Sequence, residues 1–231
     1  LFVGKNSSQP SKWKTKLEEK LKALGCIFHY ESNFSFDDTS ARPTVVATSA
    51  TDAARLLRKA APARARLLDK VELVAVTTAT LFFDRTDAST KGFGCLFPPI
   101  ENRKALGVLK NDFIFEGRAK RDLHSETWIL GGARAPEGFD EWNDRDVVET
   151  IIAERTKVFH LSDEPMDVTI TRWREAIPHY TIELERAVPT LNAADDNVWL
   201  VGNYLGQIGL SKILERASRL PKEIEARGRW R

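Results

Sequence analysis

The end of the chain carries a pattern that can bind an anion or an electron-rich ring. A short apolar segment, Val198–Val201, is followed by glycines at positions 202, 206 and 209, and a helix is predicted from Leu210. The first N–H groups of a helix lack intrahelical partners, and the helix dipole adds partial positive charge there, so such a turn suits a phosphate, a pyrophosphate or the polar edge of a ring. Glycines also let a ligand approach the backbone closely. An ordinary glycine-rich turn has the same pattern, so the turn alone leaves the function open.

Hydrolytic and metal chemistry find no support in the residue types and their spacing. The histidines are His29, His124, His160 and His179. No two of them lie within reach on one helix or hairpin, and neither G-x-S-x-G nor H-E-x-x-H occurs, so neither a nucleophilic triad nor a metal site is predicted. Cys26 and Cys95 are far apart and outside any C-x-x-C pattern, which is typical of packed cysteines in a reducing compartment.

The composition is that of an ordinary globular protein. The 231 residues are 42% apolar and 29% charged, with a net charge of +2. Basic and acidic residues are interspersed without an arginine-rich aromatic stripe, so nucleic acid is not an expected partner. No apolar run approaches the ~20 residues of a membrane-spanning helix. These features favour a cytoplasmic protein with enough apolar material for one large domain or two small ones.

Apolar periodicity predicts helices and strands along most of the chain. The predicted helices span 12–24, 51–59, 63–68, 145–159, 183–187 and 210–226, with Asp144 as the cap of the fourth. The predicted strands span 26–30, 44–48, 71–83, 92–97, 105–110, 127–131, 167–173 and 198–201. Strands follow one another in the middle of the chain with helices around them, which indicates an α+β fold. We expect a mixed, mostly antiparallel sheet covered by helices.

Several motifs, taken together, resemble one enzyme family. Residues 168–180 read VTITRWREAIPHY, and residues 202–217 read GNYLGQIGLSKILERA. Upstream stand PTVVAT at 43–48, KGFGCLFP at 91–98 and WILGG at 128–132. In order and spacing these motifs are similar to the C-terminal part of the oxygen-dependent protoporphyrinogen oxidases, which belong to the flavin-containing amine oxidase superfamily. The resemblance covers roughly residues 11 to 220.

The fingerprint that grips the pyrophosphate of a dinucleotide is absent from this sequence. No G-x-G-x-x-G follows a predicted strand near the amino terminus, and the first residue is Leu1. We therefore expect the C-terminal portion of a longer FAD enzyme, inactive alone, whose partner is an N-terminal FAD domain supplied elsewhere. The expected organisation is residual FAD-domain elements at 1–62, a substrate-binding domain at 63–185, and a C-terminal strand and helix that return to the FAD domain at 186–231.

The resemblance implies flavin contacts at two places in the chain. Trp173 matches a tryptophan near the flavin end of the family's substrate cavity. The turn after Val201 is expected against the pyrimidine edge or ribityl chain of the isoalloxazine, through Gly202, Asn203, Tyr204, Gly209 and Leu210. A helix N-terminus there stabilises the electron density that the ring gains on reduction. Because hydride passes from substrate to flavin, these residues position the reactants, and no catalytic base is assigned.

The resemblance also implies a flat aromatic cavity for the substrate. The candidate lining residues are Phe93, Phe97, Phe113, Phe115 and Tyr180, the phenylalanines being predicted on successive strands of the middle sheet. Core packing is the alternative role for such side chains. As a cavity lining they suit a planar apolar small molecule such as a tetrapyrrole. Arg103 or Arg118 is a candidate partner for its carboxylate. His179 stands where the family commonly has glutamine.

The implied reaction is flavin-dependent dehydrogenation of a tetrapyrrole, with oxygen as the final acceptor. Other members of the superfamily oxidise amines or desaturate polyenes on the same scaffold, so an amine or a polyene is an alternative substrate. A non-catalytic binding module without a nucleotide domain is a second alternative. Peripheral association with a membrane is a further expectation, and the oligomeric state is left open.

Overall fold

The chain folds into two separately packed units. A computed structural model describes residues 12–36, 42–85, 91–120, 122–133, 141–194, 197–206 and 208–227. The helices are α1 (Lys12–Ala23), α2 (Ala50–Ala60), α3 (Pro62–Leu68), α4 (Asn111–Ile114), α5 (Asp144–Phe159), α6 (Ile182–Asn192) and α7 (Leu210–Ala226). The strands are β1 (Thr44–Val46), β2 (Leu73–Asp84), β3 (Gly94–Leu96), β4 (Ala105–Lys110), β5 (Leu123–Gly131), β6 (Asp167–Pro178) and β7 (Val198–Leu200). The terminal unit comprises Leu1–Lys70 and Ile182–Arg231, and the middle unit comprises Val71–Thr181.

The middle unit is built on a five-stranded sheet with the order β3-β4-β5-β2-β6. Every neighbouring pair is antiparallel. The central strand β2 is rich in β-branched and aromatic residues, which favour extended backbone. Directly opposite residues of an antiparallel pair lie on the same face, so the register assigns each side chain to one of two faces.

The helix α5 covers one face of this sheet. It begins after Asn143, whose side-chain oxygen accepts a hydrogen bond from the N–H of Asp146. Val147 and Ile151 of the helix are fully buried together with the strand residues Ala79, Leu81, Trp128 and Leu130. Each large apolar side chain buried in this way contributes about 1.5–3 kcal/mol, so this layer is the main core of the middle unit.

The terminal unit contains a short parallel pair, β1 with β7, in which Thr44 lies opposite Val198. All three residues of β7 are buried, as is usual for a parallel strand. Arg64 of α3 is buried and donates hydrogen bonds to the carbonyl oxygens of Val198 (2.8 Å) and Leu191 (2.9 Å). Its guanidinium therefore ties α3 to the ends of both α6 and β7.

The predicted α+β class and the mostly antiparallel sheet are confirmed. The predicted bounds of β4 and α7 are also those of the structure. Other elements are longer than predicted: β5 already begins at Leu123, and α6 continues to Asn192 although it contains Pro189. The first half of β5 was missed because its buried residues are polar, and a hydropathy pattern assigns such residues to a loop.

Three local predictions were wrong. Residues 26–30 form no strand, since no described strand lies beside them to complete a ladder. Phe113 lies in the one-turn helix α4 and not on a strand. Asp144 is the first residue of α5. Asn143 before it caps the helix, because its side-chain oxygen accepts a hydrogen bond from the N–H of Asp146.

The unit boundaries differ from the predicted domain limits. The helix α3, expected to open the substrate-binding domain, packs on α2 in the terminal unit, where Ala65 and Leu68 are buried. The boundaries accordingly fall at Lys70/Val71 and Thr181/Ile182, in place of 62/63 and 185/186. The roles expected for these units remain predictions. Among the described helices, none combines the length and apolar character that crossing a bilayer requires.

Candidate functional site

The face of the middle sheet opposite α5 is uncharged in its central part, which we call the open face; the register places two carboxylates, Asp84 and Asp167, on the same side at one end of β2 and β6. The strand register places these residues on it: Thr78, Thr80, Gly94, Leu96, Gly107, Leu109, Thr127, Ile129, Thr169, Thr171 and Trp173. All except Gly107 are half-buried or exposed. None of them has an ionisable side chain. The open face therefore presents hydroxyl and apolar groups, which suit a flat molecule that carries no charge at its centre.

Two glycines keep the β3–β4 end of the open face level. A Cβ at Gly94 would lie 2.0 Å from the carbonyl oxygen of Val108, and one at Gly107 would lie 2.6 Å from that of Cys95. Neither position can take a side chain unless the backbone moves. Leu96 between them is 81% exposed, so this end of the face offers bare backbone beside an apolar group.

Trp173 supplies the largest ring of the open face. Its side chain is 53% exposed, and its Nε1 donates a hydrogen bond to Thr78 Oγ1 (3.2 Å). The bond fixes the orientation of the indole while its faces stay accessible. An oriented, exposed ring of this kind is a stacking surface for a flat ligand, and its predicted contact with a flavin stays a prediction.

A row of polar side chains crosses the β5 side of the open face. Asn111, the first residue of α4, donates from Nδ2 to Ser125 Oγ (3.0 Å) and to Thr127 Oγ1 (2.9 Å). Thr127 Oγ1 is also 2.8 Å from Thr80 Oγ1, so the hydroxyls continue the row into β2. Such a chain of hydrogen bonds orders its members and holds them for a ligand.

Charged side chains lie on the other side of β5, against α4 and α5. The Nδ1 of His124 lies 2.9 Å from Asp112 Oδ1, and its Nε2 lies 3.0 Å from Glu126 Oε1. Glu126 also accepts from Trp128 Nε1 (2.8 Å) and Arg155 Nε (3.2 Å). Burial by itself would raise the pKa of Glu126, but the His124 hydrogen bond and the Arg155 charge outweigh burial and hold the pKa below its ordinary value. We call these five residues the buried cluster.

Two of the predicted lining residues contact the side chains of the covered face. The ring of Phe97 packs on Trp128, with 5.9 Å between the ring centroids, and belongs to the core under α5. The ring of Phe113 lies 5.5 Å from that of His124. The structure therefore does not bring these phenylalanines together on the open face. The reason is strand alternation, which sends Phe97 to the same face as its neighbour Cys95 and opposite to Leu96.

The other predicted substrate contacts are dispersed. Phe93 directly precedes β3 and is 72% exposed, whereas Tyr180 follows β6 and is half-buried. Arg103 is already paired with Glu101 (2.8 Å) and with Glu154 of α5 (3.3 Å), so its guanidinium binds carboxylates on the α5 side of the sheet.

Two remaining candidates have local partners. The guanidinium of Arg118 lies 5.5 Å from the centre of the Phe115 ring. The Nδ1 of His179 lies 3.3 Å from Glu72 Oε2, and both side chains are exposed. Neither residue lies among those that the register places on the open face.

In the terminal unit, the start of α7 at Gly209 and Leu210 can present backbone N–H groups to a hydrogen-bond acceptor such as the polar edge of a ring. The 17-residue helix α7 starts at Leu210, and its N-cap Gly209 has no side chain to satisfy the first N–H groups. The nearest described atom to a Cβ at Gly209 is Ser211 Oγ, 3.9 Å away, so among the described residues a small side chain would meet only an ordinary contact there. Gly202 borders a groove that also includes Leu205 and Ile213. Asn203, which directly follows Gly202 in the chain, is half-buried.

Tyr204, a predicted flavin contact, has its side chain inside the terminal unit, and that contact stays a prediction. It is completely buried, and its ring lies 2.2 Å from the place where a Cβ at Gly202 would stand. Burial raises the pKa of its hydroxyl, which has no hydrogen-bond partner among the described residues. The side chain therefore packs inside the terminal unit, with its ring against Gly202 of the turn.

The sequence analysis missed the threonine and asparagine side chains of the open face. A usable signal was present in the pattern T-x-T at 78–80 and T-x-T-x-W at 169–173, where every second residue points the same way on a strand. Asn111 gave no such signal, because only the pairing of β4 with β5 brings it to Ser125 and Thr127.

Several solved structures share this fold. A protein from Exiguobacterium sp. 255-15, provisionally assigned as a protoporphyrinogen oxidase, matches with a TM-score of 0.64 and 17% identity over 79% of this chain and 41% of that one. A putrescine oxidase bound to putrescine matches with a TM-score of 0.60 and 12% identity over 79% of this chain and 42% of that one. At such identities the likeness establishes the fold.

Named homologues cover most of the sequence. The chloroplastic protoporphyrinogen oxidase of Nicotiana tabacum is 24% identical over 227 residues, which is 92% of this chain and 41% of that protein. The coproporphyrinogen III oxidase of Propionibacterium freudenreichii subsp. freudenreichii is 27% identical over 78% of this chain and 34% of that protein. No family model matches. The expected resemblance to the protoporphyrinogen oxidases is thus confirmed, and the chain spans between one third and two fifths of the length of these relatives.

Proposed function

We propose that this chain is the substrate-binding and C-terminal part of a FAD-dependent oxidoreductase that dehydrogenates a porphyrinogen. The homologues named protoporphyrinogen oxidase and coproporphyrinogen III oxidase support the reaction class. The open face is the structural observation that carries the proposal, because its residues are accessible and carry no charge, and the carboxylates on the same side of the sheet lie at one end of the strands.

The chemistry of the open face favours a tetrapyrrole over the alternative substrates. A macrocycle gains dispersion energy across its whole surface, and Trp173 with Leu109 and Ile129 offers the apolar area for it. The hydroxyl row gives polar partners for a ring that also carries N–H groups. A cationic amine needs a carboxylate or a cage of aromatic rings, and the nearest carboxylate of β6 on this side, Asp167, is six residues along the strand from Trp173.

The turn at Gly209 and Leu210 would hold the electron-rich edge of the flavin, with Gly202 giving room beside it. Bound there, the flavin supplies the hydride acceptor. The chain's own contribution is to orient that ring through backbone N–H groups and to present the substrate on the open face. A nucleotide-binding portion outside the present sequence would hold the flavin phosphates, as the missing dinucleotide fingerprint predicts.

Tryptophan emission tests the open face as the tetrapyrrole site. Titration of the chain with coproporphyrin III is expected to quench the emission, and Trp173→Phe is expected to remove a large part of that quenching because its ring lies on the binding surface. The matched variant Trp142→Phe, which alters a ring packed on the α5 side, should leave the porphyrin-induced change intact. Equal responses of the two variants would place the ligand elsewhere.

A branched side chain at position 209 tests the flavin turn. The Gly209 backbone has a φ of −70°, which any residue adopts, and a side chain there would meet only an ordinary contact among the described residues, so Gly209→Val should fold normally. The valine would then occupy the ring-edge position and weaken FAD binding, followed by quenching of the FAD fluorescence, at least about tenfold in Kd, which corresponds to ~1.4 kcal/mol. Gly209→Ala serves as the milder control. Unchanged FAD quenching in the valine variant would remove this turn from the proposed flavin site.

A further inference from the structure

We infer that Asn111 is a specificity-determining residue that accepts a hydrogen bond from a pyrrole-type N–H of the ligand. The inference rests on the proposed function and adds a recognition element to its substrate site. It assigns a chemical preference as well, since a fixed neutral acceptor selects ligands whose N–H groups can turn toward it.

The geometry leaves one group of the Asn111 amide available. Both hydrogens of Nδ2 are used, one toward Ser125 Oγ (3.0 Å) and one toward Thr127 Oγ1 (2.9 Å). No donor among the described residues reaches its Oδ1, and the side chain is half-buried at the edge of the open face. An amide held by two hydrogen bonds has lost its rotational freedom, so the oxygen is a pre-oriented acceptor.

The neighbouring residue fixes the backbone that carries this amide. Asp112 Oδ1 accepts a hydrogen bond from the N–H of Ser125 (3.0 Å) and lies 2.9 Å from Nδ1 of His124. Its Oδ2 accepts from Arg85 (2.6 Å). Three contacts on one carboxylate hold α4 against β5, and they keep Asn111 at the edge of the open face.

The oxidation state of a tetrapyrrole changes what Asn111 can bind. In a porphyrinogen every pyrrole ring carries an N–H, and the saturated bridges let a ring tilt its N–H out of the macrocycle. In the aromatic porphyrin the remaining N–H groups point into the centre of a rigid plane. A fixed acceptor beside the plane therefore binds the reduced form better than the oxidised form, which would help the product to leave.

Calorimetric titration without oxygen separates these possibilities. The probes are coproporphyrinogen III, made by reduction of coproporphyrin III, and coproporphyrin III itself. We expect Asn111→Leu to weaken binding of the reduced probe about three- to tenfold, the usual effect of one lost hydrogen bond, and to change binding of the oxidised probe less than about twofold. Asn111→Asp, which keeps an acceptor oxygen, should bind the reduced probe almost as the unchanged chain does. Asn33→Leu, which alters an exposed asparagine of the terminal unit, is the matched control.

The outcomes distinguish this inference from the function on which it rests. If the unchanged chain binds the reduced probe and Asn111→Leu binds it equally well, or loses both probes to the same extent, the role of Asn111 is overturned and the substrate class stands. If the unchanged chain binds neither probe, both are overturned. Should the leucine variant fail to fold, loss of the preference for the reduced probe in Asn111→Ala decides in its place.

Discussion

At the scale of single residues, Gly202 and Tyr204 define the turn that leads into α7. The buried tyrosine ring occupies the space that any side chain at position 202 would need, with only 2.2 Å between Tyr204 Cε1 and such a Cβ. The glycine is thus required by packing and not by its φ angle. The same contact explains why a tyrosine in a glycine-rich loop, which the sequence presents as a ligand contact, is part of the core.

Substitution of Gly202 should reveal this packing. Gly202→Ala is expected to lower the free energy of unfolding by about 1–3 kcal/mol, because the fully buried ring has no free space into which it could move. Urea denaturation of the whole chain measures the change. Gly209→Ala, on the same turn, where a Cβ would meet only an ordinary contact among the described residues, should stay within about 0.5 kcal/mol of the unchanged chain. If Gly202→Ala leaves the free energy of unfolding unchanged, the Tyr204 ring is not confined.

At the scale of secondary-structure elements, the buried cluster joins α4 and α5 to β5. It links Asp112 of α4 and Arg155 of α5 through His124 and Glu126 of the strand. Burial of ionised groups is costly unless each is paired, and here each carboxylate has at least two partners. The cluster therefore sets how α4, and the amide that it carries, is seated on the sheet.

The buried cluster predicts loss of stability in acid. The pKa of Glu126 in the folded chain lies below its ordinary value of 4.5, so the folded state binds fewer protons than the unfolded state. The stability that this group contributes is complete above about pH 4.5 and declines as the pH falls from there through the folded-state pKa. Melting temperatures measured between pH 7 and pH 3 should fall accordingly. Asp112 acts in the same direction, since hydrogen bonds from Ser125 and His124 outweigh its burial and lower its pKa.

Glu126→Gln separates this group from general acid denaturation. The variant should lose about 3 kcal/mol at neutral pH, because the buried Arg155 loses one of its two carboxylate partners and keeps only the half-exposed Asp163. Its melting temperature should then depend less steeply on pH in the acidic range. A variant with the full stability of the unchanged chain, or with an equally steep acid limb, would contradict the assignment.

At the scale of the whole molecule, the two units differ in how the chain builds them. The middle unit is one continuous segment, Val71–Thr181, whereas the terminal unit combines both ends of the chain. A continuous segment with its own helix–sheet core has what independent folding requires. The two units should therefore respond differently when the chain is divided.

Excision of the middle unit tests this difference. We expect a polypeptide of residues 71–181 to show antiparallel-sheet circular dichroism and a cooperative thermal transition, because its core residues lie within the segment. Residues 1–70 alone should show no such transition, since β1 loses β7, its partner in the structure. A fragment 71–181 that melts gradually would show that the middle unit depends on the rest of the chain.

The sequence by itself determined most of the local elements, the α+β class and the resemblance to flavin-dependent oxidases. The bounds of α7 and β4 were predicted because helix and strand periodicities are properties of neighbouring residues. Only the tertiary structure decided which side chains share a surface. It moved Phe97 and Tyr204 into the cores, and it brought Asn111 to the hydroxyls of Ser125 and Thr127. The physical reason is that strand register and helix seating join residues distant in sequence, and no local pattern records that pairing.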